Sequence, residues 1–365
     1  MGKILFYSLY NPMKPLISRT FVIFTNIFLT TPSTLKQYLI ILVVSFLFIW
    51  MPQKPPIDWD LNTTGFWSNI PQTYSNNPNI VYPPWGLILL LPYYLIQAAG
   101  SRMLSVMTLG WLTHTRKWSL SIFFALVFSP FFFRTMAKSN MDILVIVFPI
   151  LIWEYSKGKR WENIARGISL ALLLLKPQCT ILLVIFLLWT NRKEFKKVLV
   201  LLGIAALFIV PISLIGTPPL FFQWLNNIIH PSSQNQYFWS INNISLTAKY
   251  GFLIAFGILF VTALILLVSF KARIISWKID QITFSLLLFS MYLSPYTSQQ
   301  SFFSGLAFIP SWPGFFLQWL GIGLGIMIFR NYDNIPLLSL FIAFLSLLLF
   351  CIPLYFFKLF LYIFF

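Results

Sequence analysis

Apolar runs of about 20 residues, long enough at 1.5 Å per residue to cross roughly 30 Å of hydrocarbon, recur in this chain from residue 35 to the C-terminal residue. No other feature narrows the fold as far. A backbone threaded through lipid must satisfy its N–H and C=O groups internally, and runs of this length do so as helices. Of the 365 residues, 58% are hydrophobic and 9% charged, where a soluble domain carries about 25% charged residues; mean hydropathy is +0.81. The sequence predicts an all-α fold: a polytopic transmembrane helix bundle of about nine or ten spanning helices with further re-entrant or interfacial helices. Residues 1–365 form a single integral-membrane domain, with no soluble domain attached.

The 25 Lys and Arg against 8 Asp and Glu give a formal charge of +17. No basic groove interleaved with aromatic residues occurs, so nucleic acid is not an expected partner. The basic residues collect in short loops between apolar runs, where they hold cytoplasmic loops against anionic lipid headgroups. Lys3, Lys14 and Arg19 precede the first run, residues 35–51, and Lys36 stands at its start, which makes 1–34 a cytoplasmic or interfacial segment. Residues 52–82 then form a first external loop, and 216–248 a second. The N-terminus lacks a continuous apolar stretch ending in a small-residue cleavage site, so no removable signal peptide is expected. Cys179 and Cys351 both lie in apolar surroundings and carry no redox information. The inward return is assigned to "PPWGLILLLPYYLIQAAG", and the stretch between Arg102 and Arg116 to a short interfacial or buried helix.

Residues 168–190 are flanked by basic clusters on both sides: Lys157, Lys159, Arg160 and Arg166 before, Arg192, Lys193, Lys196 and Lys197 after. A single crossing would put one cluster on the wrong side of the membrane. Lys176-Pro177 falls near the middle, where proline breaks the helical ladder. Two half-helices entering from the cytoplasmic side follow, with Lys176 at the tip inside the bundle. A cation amid leucines costs a few kcal/mol and marks a ligand or a partner charge, and phosphate is its natural counter-ion.

The acids divide by position. Glu154, Glu162, Glu194, Asp280 and Asp333 adjoin Lys or Arg at cytoplasmic ends and read as solvated or salt-bridged carboxylates. Asp58, Asp60 and Asp142 fall on the external side. In extended backbone Asp58 and Asp60 point the same way, although Asp60 also suits a helix N-cap before "LNTT". An Asp-x-Asp pair can hold a divalent metal on diphosphate oxygens, but enzymes of that kind use soluble domains, so no metal or other cofactor is indicated. The polar segments at Asn140–Asp142, Asn242–Leu246 and Ser294–Gln300 converge on the same face. No H-E-x-x-H, G-x-S-x-G, Walker loop or clustered Cys/His set is present, and His114 and His230 stand alone. The long uncharged loop around Trp224 and Trp239, rich in Asn and Gln, suits carbohydrate.

Taken in order, "IDWDL", "VYPPWGLILLLP", "SNMD", "LALLLLKPQ", "NNISLTAKYG" and "LSPYTSQQS" resemble the GT-C superfamily of integral-membrane glycosyltransferases, in particular its polyprenyl-phosphate-mannose-dependent alpha-mannosyltransferase-like group. "SNMD" stands where that group often has Gly-Gln-x-Asn. The resemblance implies a multi-pass protein of the bacterial plasma membrane with an external active site. It implies transfer of a hexose, mannose first, with inversion, from a polyprenyl-phosphate donor to a lipid or glycan acceptor. Asp58 would act as general base with Asp60 assisting, Lys176 would bind the donor phosphate, and Asn140, Asp142, Gln178, Asn243, Ser245 and Gln299 would contact substrate. A transporter or flippase of lipid-linked sugars, or a non-catalytic subunit of a membrane complex, shares the intramembrane lysine and polar cavity. Oligomeric state is not encoded in any of these features.

Overall fold

The computed structural model describes residues 34–51, 74, 82–137, 140–230, 245–271, 279–294, 297 and 299–309. All their regular secondary structure is helical, and no strand occurs among them. Asp58, Asp60, Asn243 and Asp333 lie outside the described residues, as does the chain beyond 309.

Helix α1, Thr34–Leu47, ends in a 3₁₀ turn, Phe48–Trp50, and is followed by two short pieces, α2, Gly86–Leu89, and α3, Leu91–Leu95. Helix α4, Gln97–Thr115, is 19 residues long, or about 28 Å. It lies antiparallel against α1: the Arg102 guanidinium donates to the carbonyls of Met51 and Ile49 at one end, and His114 Nδ1 meets Gln37 Oε1 at 3.2 Å at the other. Helix α4 is longer than the short helix expected between Arg102 and Arg116, while Pro92 and the surrounding turns break 82–96 into single helical turns. Polar residues punctuate α4 along its length. Ser105, Thr108 and Thr113 satisfy their hydroxyls on carbonyls four residues back, at 2.9, 2.8 and 2.8 Å, so they can be buried in a helix interior.

Beyond α4 the chain turns through Lys117, whose φ of 55° is left-handed. Trp118 N bonds to Thr113 O and Lys117 N to His114 O, both at 3.0 Å, a helix terminus that normally takes glycine at this position. Helices α5, Leu120–Val127, and α6, Pro130–Ala137, run away from that turn; a π-helical turn, Ile143–Val147, and α7, Phe148–Tyr155, run back to it.

Next come α8, Glu162–Leu173, and α9, Pro177–Thr190, followed by α10, Phe195–Ser213, α11, Leu220–Ile229, α12, Leu246–Tyr250, α13, Phe252–Lys271, α14, Ile279–Leu293, and α15, Gln299–Leu306. Helices α8 and α9 form a hairpin that returns to the end it came from, because Glu162 pairs with Lys197 at 2.8 Å just past the exit of α9. Helix α10 then runs parallel to α8. Their close approach depends on Gly167, where a Cβ would stand 2.5 Å from Ile204 Cγ2 and 3.3 Å from the Leu201 carbonyl. Small residues at helix contacts permit this approach in membranes. Gly167→Val is expected to push α8 off α10 and destabilise the protein by about 1–3 kcal/mol, read as a lower thermal midpoint in detergent.

The basic end of the bundle is tied by charge. Arg116 Nε donates to both Asp280 carboxylate oxygens at 2.8 and 2.9 Å, and its Nη1 meets Glu154 at 2.7 Å, so one guanidinium joins α4, α7 and α14. Burial works against that charge, but the two carboxylates outweigh it and hold Arg116 above its ordinary pKa. Glu162 also pairs with Arg166, and Glu194 meets Lys197 at 3.6 Å. Glu154, Glu162, Glu194 and Asp280 are thus all ion-paired, as their positions suggested. Among the described residues Phe195–Ser213 is the one helix both long and apolar enough to cross a bilayer by length and composition; shorter apolar helices cover Leu35–Trp50, Ile143–Tyr155, Pro177–Thr190, Phe252–Ile265 and Ile279–Leu293.

Candidate active site

Proline at 177 has no N–H to donate and forces the residue before it out of helical backbone. Helix α8 therefore stops at Leu173, and Lys176 takes φ −127° and ψ 65° at the start of α9. The carbonyls freed by the break are taken up locally: Lys176 N bonds to Leu173 O at 3.2 Å, and Thr180 Oγ1 lies 2.6 Å from Leu173 O and 3.0 Å from Lys176 O. The tip is thereby a satisfied turn inside the bundle.

Into this turn comes Asp142, the residue before the π-helical turn. Its Oδ1 forms an ion pair with Lys176 Nζ, and its Oδ2 accepts a hydrogen bond from Ser301 Oγ at 2.5 Å. The Asp142 side chain is 0% exposed and that of Lys176 12%, so a ligand approaching the pair meets the ammonium. Lys176 Nζ also lies 5.2 Å from the centroid of the Tyr82 ring. Counting 1.5 Å per residue along α7 places Asp142 about 18 Å from the Arg116 network.

Four separate stretches meet here, around Tyr82, Asn140–Asp142, Lys176 and Ser301. Gly86, following Tyr82-Pro-Pro-Trp85, places α2 beside the hairpin tip at Leu175. Asn140 Oδ1 accepts from Asp142 N at 2.8 Å and fixes the approach to the carboxylate. The Tyr74 hydroxyl donates to Tyr82 O at 2.6 Å, and Asn227 Nδ2 of α11 holds the Tyr74 carbonyl at 3.1 Å. Met51 is thus held on Arg102 and Tyr74 beside Tyr82. Ser245 Oγ accepts from Ala248 N at 3.1 Å, capping α12, and donates to the Ser294 carbonyl; Thr247 Oγ1 donates to Leu293 O at 3.0 Å. Residues 245–248 are thus fastened to the end of α14.

The structure brings together Asn140, Asp142 and Lys176 directly. Gln178 is half-buried in the first turn of α9, and its side chain makes no hydrogen bond among the described residues. Gln299 opens α15, with its side chain outside the described set. Ser245 lies in the α12–α14 joint. Sequence reasoning missed Ser301 and Tyr82, each of which stood inside a quoted motif without a role. It also missed the pairing of Asp142 with Lys176, although two opposite charges within apolar runs are natural partners. No three His, Cys, Asp or Glu side chains gather as a metal-binding group among the described residues.

A polar pair of this kind, one face sealed by protein and one ammonium left reachable, can receive an anion at depth. Comparison with known proteins gives one family: the model of glycosyltransferase family 87 matches residues 80–295, which include Tyr82, Asn140, Asp142, Lys176, Gln178 and Ser245. No curated protein and no solved structure matches the chain.

Proposed function

The chain belongs to glycosyltransferase family 87, a family of membrane enzymes, and from that premise we propose that it transfers a hexose, most simply mannose, from a polyprenyl-phosphate donor to a lipid or glycan acceptor. The basic end faces the cytoplasm, as expected when Lys and Arg set orientation. The Lys176 site opens toward the other leaflet, and the chain is multi-pass.

One observation supports this reading above the rest: Asp142 holds the Lys176 ammonium inside the bundle, at the junction of segments supplied by Tyr82, Asn140, Pro177 and Ser301. A donor phosphate would share that ammonium. Asp142, with both oxygens engaged, holds the cation rather than touching sugar. In the reaction the acceptor hydroxyl attacks the anomeric carbon, the Asp58 carboxylate takes its proton, and the bond from that carbon to the phosphate oxygen breaks with its electron pair going to phosphate. Charge grows on the leaving phosphate in the transition state, where a fixed cation in a low-dielectric site stabilises it most. Asp60 orients the acceptor, and Gln178, Asn243 and Gln299 offer amides to sugar hydroxyls.

The test is incubation of purified protein reconstituted in sealed lipid vesicles with radiolabelled polyprenyl-phosphate mannose and extracted lipids. Label is expected in a new lipid or glycan product. Label that crosses a vesicle bilayer without product would instead make the chain a transporter, and neither outcome would make it a structural subunit.

A further inference from the structure

A groove of about 570 Å³ lies at the basic end, remote from the Lys176 site, lined by Tyr38, Trp111, His114, Thr115, Lys117 and Tyr155. We propose that it binds the headgroup of a phosphate-bearing anionic lipid, with Lys117 as the phosphate contact and the acyl chains lying along the outer face of α1.

Five observations converge. Lys117 occupies a left-handed position, φ 55°, where glycine would relieve the backbone, and it makes no ion pair among the described residues. A strained non-glycine residue held at a pocket is a pointer to use. His114 is fixed in place, its Nδ1 3.2 Å from Gln37 Oε1 and its ring 5.0 Å from that of Tyr38. A second cation flanks the groove, because Lys159 Nζ sits 2.9 Å from the centroid of the Tyr155 ring. That contact also fills the aromatic face on which a cationic headgroup would otherwise dock. Among the described residues no carboxylate lines the groove, and the nearby Glu154 points to Arg116, which it shares with Asp280. Lastly, Leu35, Tyr38, Leu39, Leu42 and Phe46 are exposed along α1. They recur three to four residues apart, so they form one apolar stripe leading from Tyr38 along the helix. A free phosphate has no use for this stripe, whereas an acyl chain has.

The experiment titrates the purified full-length protein in neutral detergent with phosphatidylglycerol, phosphatidylcholine, glycerol 3-phosphate and inorganic phosphate, reading thermal midpoint and bound lipid by native mass spectrometry. Phosphatidylglycerol is expected to raise the midpoint and bind as a discrete adduct, and the other three to do neither. Lys117→Gly, which suits the backbone, should fold at least as well without lipid and bind phosphatidylglycerol about five-fold more weakly, the loss of one lysine near a charged membrane surface. Lys193→Gln, at the same end but outside the groove, should bind like wild type. Undiminished binding by Lys117→Gly, or an equal loss in Lys193→Gln, overturns the proposal. An equal shift with phosphatidylcholine, or the whole shift with a soluble phosphate, overturns the anionic-lipid assignment. Sugar transfer by Lys117→Gly in detergent should be unchanged, so failure here leaves the reading of the Lys176 site standing.

Discussion

Lys176→Met is expected to lower sugar transfer by about 10²-fold or more, the usual cost of removing a donor that stabilises developing oxyanion charge, and to lower stability by about 3–5 kcal/mol because Asp142 is left as an unpaired buried charge. The two effects separate in a double variant. Asp142→Asn combined with Lys176→Met removes both charges, and the amide oxygen introduced by the first change can still accept from Ser301. Such neutral replacement of a buried pair is often harmless to stability. The double variant should therefore regain most of the lost thermal midpoint while staying inactive. Midpoints and initial rates measured on wild type, both single variants and the double variant complete the cycle. A double variant that recovers transfer along with stability would reduce Lys176 to a structural role.

The second large effect belongs to the first loop. Asp58→Asn keeps the shape of the side chain but exchanges one acceptor oxygen for an N–H donor and cannot take a proton. It is expected to cost about 10²–10⁴-fold in turnover, the range of general-base assistance, with expression and donor binding retained. Asp60→Asn should cost less and act mainly on the acceptor KM. Purified Asp58→Asn turning over at a near-normal rate would remove the base assignment without touching that of Lys176.

The sequence made the hairpin legible because charge and backbone chemistry pointed the same way: basic clusters on both sides of 168–190 and a proline in the middle. The pairing of Glu162 with Lys197 is the three-dimensional form of that pattern. The length of helix α4 was less legible for the opposite reason. Its serines and threonines dilute the apolar signal, and only their bonds to carbonyls one turn back make the helix buriable. At the site, each charge could be singled out as unusual, yet which met which depended on packing between stretches 34 residues apart for Asp142 and Lys176 and 159 apart for Asp142 and Ser301. No local pattern carries such distances. Arg102 shows the same limit, since a basic residue at the far end of α4 is tolerated only through the Ile49 and Met51 carbonyls.

A hairpin that leaves through the door by which it came contributes an even number of passes. Insertion of everything downstream, from α10 onward, is therefore expected to keep its handedness whatever the length of the hairpin. Orientation and chemistry thus rest on different residues of one element: the basic clusters at its two feet, and the lysine at its tip that Asp142 holds.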